Sequence, residues 1–261
     1  MASEILTGIK KDYLSGLLRE GKRLDGRGFD EYRQISVETG VSAKAEGSAL
    51  VKIGNTQLMV GVKLILGEPF SDMPASGVLT TNAELIPLAS PTFEKGPPDE
   101  ATIELARVVD RGVRESKAID LDKLCIVEGE KVWIVFIDIH VLDYDGNLFD
   151  ASTLGAVAAL YDAYIPKVEN DRVLYGERTK QKLPLNDKPV ETTFVKIDDT
   201  IVVDPLLDEE LAMDARITLA TTQKGLLCAM QKGGIGSFTQ EEILDIMKRG
   251  TKKAEELRKH I

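Results

Sequence analysis

The chain has 261 residues, with 43 Asp and Glu against 33 Lys and Arg and a formal charge of −10, so nucleic acid cannot be held by the surface as a whole and any such contact must be local. Hydrophobic residues at 43% and charged residues at 29% are globular proportions, and no apolar run approaches the roughly 20 residues of a bilayer span. One large domain or two small ones with a sizeable core are expected at this length.

The opening MASEILTGIKKDYLSGLL has lysines soon after its first apolar residues and lacks the continuous apolar core and small-residue cleavage site of a leader, which predicts a cytoplasmic protein. Ile5, Ile9, Tyr13 and Leu17 fall at helical spacing, with Ser3 as the expected N-cap. GSALVKIGNTQLMVGVKLILGEP reads as two antiparallel strands joined at Gly54 and Asn55. The proline-rich stretch from Pro69 to Pro98 is expected to be extended or looped, with a strand at TTNAELIPLA. From Asp99 the spacing predicts a surface helix burying Ile103, Ala106, Val109 and Val113. KVWIVFIDIHVLDYDG predicts a central strand, with Trp133 in the core or an interface. DASTLGAVAALYDAYIP predicts a close-packing helix stopped by Pro166.

A polar, turn-rich connection is expected over 167–188. Beyond it, ETTFVKI, TIVVD, ARITLATT and GLLCAMQK read as four strands, with an acidic loop before the third. A last helix from about residue 240 has Thr239 and Glu242 as a capping box and a stripe of Ile243, Ile246, Met247, Ala254 and Leu257. The domain reading is therefore a lead-in (1–29), a first domain (30–166), a connection (167–188) and a second domain (189–261), in an α+β fold of two successive strand-then-helix units. Cys125 and Cys228 lie in apolar runs and are expected to be buried, reduced thiols. With only His140 and His260, zinc sites and histidine-based triads lack material.

RLDGRGFDEYR (23–33), GSALVKIGNT, IELARVVDRGVRES, VLDYDGN, VDPLLDEE and QKGGIGSF follow one another in an order that resembles the RNase PH family over about residues 20–258, and within it the non-catalytic ring subunits of archaeal exosomes. The resemblance implies an RNase PH-type α+β fold. It also implies a hetero-hexameric ring, three of each kind, in which this chain alternates with a catalytic RNase PH-like subunit around single-stranded RNA. Cap subunits with OB-fold or KH domains would dock on that ring. Phosphate and Mg²⁺ would belong to the partner's active site, with no cofactor, metal or catalytic residue in this chain and no membrane.

Two departures from the family's active members support that expectation. Where they carry a small-residue turn with an arginine leading into an anion-binding helix terminus, this chain has Asn147, Leu148, Phe149 and Asp150. Asp150 is expected to cap that helix itself and repel phosphate. Where they carry paired aspartates, this chain offers Asp204, Asp208, Glu209, Glu210 and Asp214, with Glu210 in place of the doublet's aspartate and a shorter spacing. The alternative for this stretch is a solvated acidic turn.

Arg107, Arg111 and Arg114 share one helical face. From the residues alone, that face is either a phosphate-binding stripe or a ladder of ion pairs to Glu104 and Glu115. The resemblance favours RNA binding by these three arginines. QKGGIGSF matches no phosphate-loop pattern and is expected to be a tight strand-to-helix turn. The rival readings are an active phosphate-dependent 3′ to 5′ exoribonuclease and a purely structural ring spacer.

Overall fold

The computed structural model describes residues 2–170 and 172–261; the side chains of residues 2–9 and Tyr175 lie outside the described set. The first unit begins with α1 (Ala2–Arg19), β1 (Ile35–Thr39), β2 (Gly47–Ile53) and β3 (Thr56–Gly67). β2 and β3 pair through the expected two-residue turn, where Ile53 faces Thr56 and Gly54 takes a φ of 58°, a left-handed conformation that favours glycine. It continues with β4 (Val78–Leu85), α2 (Glu100–Glu115), β5 (Cys125–Val127), β6 (Lys131–Asp143) and α3 (Leu148–Asp162). The first sheet runs β1-β2-β3-β6-β4, with β5 also on β6 and only β4 running parallel to its neighbour.

The polar stretch expected as a connection is an antiparallel hairpin of β7 (Tyr164–Glu169) and β8 (Arg172–Lys182). Pro166 lies within β7, so α3 stops before it, at Asp162. The second unit comprises β9 (Val190–Ile197), β10 (Thr200–Val203), α4 (Leu207–Ala212), β11 (Ala215–Thr221), β12 (Leu227–Gly233) and α5 (Gln240–Arg258). Its sheet is antiparallel in the order β10-β9-β11-β12. The α+β reading of two successive strand-then-helix units describes this architecture.

α3 lies between the two sheets and is buried at every residue from Leu148 to Leu160, as an apolar helix covered on both sides must be. Its small residues set the approach. A Cβ on Gly155 would lie 2.8 Å from Val60, and one on Gly47 of β2 would collide with the Ala159 carbonyl, so helix and sheet meet almost backbone to backbone. β9 is covered on both faces: Glu191 and Thr193 bond to α3, while Thr192 and Phe194 pack under Gly250 of α5. Side chains on a strand alternate between its faces, which explains a strand buried almost throughout. The fully buried Leu154, Leu160 and Phe194 each contribute about 1.5–3 kcal/mol of apolar burial.

Two helices are rotated from their expected faces. α2 buries Thr102, Leu105, Val108, Val109, Gly112 and Val113 and leaves Ile103 47% exposed. α1 buries Leu14 and Leu18 against Val195 and Val202 while Tyr13 is 62% exposed; Ser3, Ile5 and Ile9 have side chains outside the described set. The cysteines are half-buried rather than buried, and unpaired. Among the described residues no helix is long and apolar enough to cross a membrane.

Candidate nucleic-acid interface

The turn Asp145-Gly146-Asn147 feeds α3. Gly146 and Asn147 have φ of 86° and 56°, and a Cβ on Gly146 would strike the Pro205 carbonyl, so the turn is pressed against the second unit. Asn147 is the N-cap residue and makes no side-chain cap bond. The carboxylate that meets the start of α3 is Glu210 of α4, which accepts from the Asn147 N–H at 2.8 Å and from the Tyr144 hydroxyl at 2.7 Å. Burial pushes the Glu210 carboxyl upward. The Glu210 side chain thus satisfies the amide of the N-cap residue of α3.

Asp150 therefore does not cap the helix. It is fully buried in the third helical position and faces the second sheet. It accepts from Tyr32 Oη (2.7 Å), Asn147 Nδ2 (2.9 Å), Thr193 N (3.0 Å) and Thr193 Oγ1 (2.7 Å). Burial pushes its carboxyl up to about 7 despite those bonds. The reason is local: an aspartate three residues after a left-handed cap is turned away from the free amides, toward β9.

The other carboxylates are taken individually. Asp204 has no exposed surface and accepts from Arg33 N and Nε (both 2.9 Å), Arg33 Nη2 (2.8 Å), Arg27 Nη1 (2.8 Å) and Asn147 Nδ2 (2.7 Å). Burial acts to raise it, but the hydrogen bonds and charge of Arg33, joined by Arg27, hold it below the usual carboxylate range. Glu209 accepts from both Nε and Nη2 of the buried Arg23 guanidinium. Asp208 pairs with Lys10 and Asp214 with Lys11. The stretch is thus not a solvated acidic turn, since Asp204 and Glu209 are fully buried. It is a short helix whose acids clamp the first unit, and no group of three His, Cys, Asp or Glu among the described residues could hold a metal. Arg23, Arg27 and Arg33 were visible in RLDGRGFDEYR, but nothing in their spacing named their partners some 180 residues away.

The three arginines of α2 do come together. With Leu79, Thr80 and Thr81 of β4 and with Asp110 and Glu115, they line an open groove of about 390 Å³. The expected ion pairs to Glu104 and Glu115 do not form. Glu104 bonds Arg216 instead, at 2.7 Å. Arg107 is exposed and has no hydrogen bond or ion pair among the described residues. Arg111 donates to the neutral Gln231 Oε1 at 3.2 Å. It lies near the buried Glu191, which burial pushes up to about 8, so that carboxyl is largely neutral at pH 7 and does not cancel it. Arg114 is paired with Asp110 (2.9 Å) and donates to the Leu79 carbonyl. Availability to an outside anion therefore falls from Arg107 through Arg111 to Arg114.

Arg216, for which the sequence carries no local signal, lies 4.2 Å from the centre of the Phe149 ring beside the start of α3. QKGGIGSF is the expected turn between β12 and α5: Gly234 and Gly236 press against Asp214, and Thr239 and Glu242 close the capping box that occupies the start of α5. Trp133 is in the core.

Sequence and structure comparisons agree along the whole chain. Residues 31–166 match the description "3′ exoribonuclease family, domain 1" and residues 187–253 match domain 2 of the same family. The chain is 55% identical over 266 residues to the exosome complex component Rrp42 of Pyrococcus furiosus, covering 99% of this chain and 94% of that protein. It is 56% identical over 261 residues to the protein of that name from Methanocella arvoryzae, covering 100% and 98%. It superposes on a chain of the Archaeoglobus fulgidus exosome with RNA bound to the active site, with a TM-score of 0.91 and 49% identity over 98% of each chain. The likeness to rice Rrp46, with a TM-score of 0.68 at 17% identity, shows the fold alone.

Proposed function

The chain belongs to the 3′ exoribonuclease family of RNase PH, and from that premise we propose that it is a catalytically silent ring subunit of an archaeal, cytoplasmic RNA-degrading exosome, binding RNA beside the active site of a paired catalytic subunit. Its partners on this reading are three catalytic RNase PH-like subunits alternating with three copies of this chain, and cap subunits with OB-fold or KH domains. Phosphate and Mg²⁺ belong to the catalytic partner.

The observation that carries silence is Glu210 on the Asn147 amide. Phosphorolysis needs an anion at the start of α3, and there the chain supplies its own carboxylate, with Phe149 and Arg216 packed alongside. The acids that would otherwise serve as proton donors are spent on Arg23, Arg27 and Arg33. An active exoribonuclease is thereby disfavoured. A purely structural spacer is disfavoured by the groove that gathers three arginines and leaves Arg107 unpaired.

The test is RNA degradation with phosphate and Mg²⁺ by the chain alone and then by an equimolar mixture with the catalytic subunit. The expected result is no release of nucleoside diphosphates by the first and release by a hexamer in the second. Phosphorolysis by a partner-free preparation would overturn the assignment.

A further inference from the structure

In a chain of net charge −10, carboxylates are plentiful partners for cations, and Lys10, Lys11, Arg19, Arg23, Arg27 and Arg33 all form ion pairs. Three neighbouring cations at the root of the β7-β8 hairpin do not. Lys182 Nζ stands 5.0 Å over the Tyr164 ring and donates to the Tyr161 carbonyl at 2.9 Å. The Arg178 guanidinium lies 6.0 Å from the same ring and donates to the Ala45 carbonyl at 2.8 Å. Lys188 Nζ is 4.6 Å from the Tyr161 ring centre. None of the three has an ion pair among the described residues.

The acids nearby are otherwise engaged. Glu177 pairs with Lys167, Asp162 accepts from the Ser48 amide, and Asp187 accepts from the amides of Lys188 and Gln223. Lys180, also exposed, adds a fourth positive charge on β8. Cations held by ring faces and carbonyls keep their full charge and need break no ion pair to meet an external anion. Half-buried tyrosines limit the freedom of Lys182 and Arg178, so less entropy is lost on binding.

The patch shares no residue with the arginine groove or with the Glu210 contact. It sits at the C-terminal end of α3, whose 15 residues span about 22 Å at 1.5 Å per residue.

We propose that Arg178, Lys182 and Lys188, set on Tyr161 and Tyr164, form a second contact for the phosphate backbone of single-stranded RNA. The choice of RNA as the polyanion rests on the ring reading above; the existence of an unpaired cationic patch does not. Sequence-independent holding of a strand by a cationic track beside aromatic rings is the general pattern of single-strand binding. A strand long enough to cover both sites would gain from each, whereas a very short one would engage the α2 groove without reaching the hairpin.

The experiment measures RNA affinity of the assembled ring at several salt concentrations, with wild-type chain and with the triple variant Arg178→Gln, Lys182→Gln, Lys188→Gln. A charge-keeping control, Lys182→Arg with Lys188→Arg, accompanies them, and melting and ring assembly are recorded for each. Three lost phosphate contacts lower the log–log salt slope by about 2 and weaken binding about 100-fold at 0.1 M salt. That loss is expected for a long single strand but not for oligomers under about 4 nucleotides, with the control near wild type. Unchanged affinity and slope in a triple variant that assembles would overturn the proposal while leaving the ring reading intact. A wild-type ring that fails to form or to bind RNA would overturn both. Normal RNA binding with loss of an acidic protein partner would overturn it in favour of protein docking. If the triple variant does not assemble, each single Lys→Gln change must still lower the slope by about 0.7, and a slope unchanged in both also refutes it.

Discussion

Arg107→Ala should weaken RNA binding without touching stability, and Arg114→Ala should behave differently on the same helix. Arg107 is exposed and makes no bond within the described protein, so its removal should change unfolding free energy by less than about 0.5 kcal/mol. If it holds one phosphate, its loss lowers the log–log salt slope by about 0.7 and binding at 0.1 M salt by about fivefold, close to 1 kcal/mol. Arg114 is already matched with Asp110 at 2.9 Å. Removing it leaves the Asp110 carboxylate facing the groove, so RNA is repelled and binding falls too. Adding Asp110→Ala should then recover most of the loss, because the pair was nearly neutral to begin with. The same second change should not rescue Arg107→Ala. Titration of fluorescent RNA against the ring for the two single variants and the two doubles measures this. A silent Arg107→Ala, or an Arg114→Ala defect that Asp110→Ala does not relieve, would refute the ranking by partner.

Glu210→Ala frees the Asn147 amide, so millimolar inorganic phosphate should raise the melting temperature of this variant more than that of the wild type; equal shifts in thermal scans would show that Glu210 is not the blocking anion. Asp204→Ala leaves the buried Arg33 with carbonyl partners and one long 3.9 Å contact to the Asp145 carboxylate, which should cost about 3–5 kcal/mol in urea unfolding, whereas a cost under 1 kcal/mol would mean that the clamp does not join the two units. For Asp150, the folded pKa of about 7 exceeds the ordinary 3.8, so the folded state holds the proton more tightly. Its stabilising contribution is full below about pH 4 and is lost as pH rises to about 7, a difference on the order of 4 kcal/mol. Asp150→Asn mimics the neutral acid and should flatten this part of the pH–stability curve, so a variant curve as steep as the wild type over pH 4–7 would contradict the assignment.

The elements most readable in the sequence were those whose signals were local. The Gly54-Asn55 turn, the four strands after residue 189 and the Thr239 capping box each depend on neighbours a few residues away, and each formed. Helix faces were less readable. On α2, Ile103 looks like a core residue at its spacing but stays exposed, while Thr102 and Gly112 join Leu105, Val108, Val109 and Val113 on the buried face; a Cβ on Gly112 would meet Glu191 at 2.8 Å. The hairpin at 164–182 was unreadable because its strands are polar and largely exposed, so alternation carries no burial signal.

The site was half legible for the same physical reason. Departures from an active pattern can be read residue by residue, but the partner of a buried charge is chosen by the fold. Asp150 and Glu210 illustrate the difference: sequence position put Asp150 at the helix start and Glu210 in a distant acidic run, while the left-handed Asn147 turned the first away and α4 brought the second onto the amide. Asp110 and Glu115 share the groove with Arg107, but Asp110 is taken by Arg114 and neither pairs with Arg107. The acids at the joint, Asp204 and Glu209, are held by Arg23, Arg27 and Arg33, while Arg107 lies in a different place, the groove of α2. Asp204→Ala and Asp204→Asn should for that reason differ less in RNA affinity than in unfolding free energy, since neither frees a carboxylate near α2.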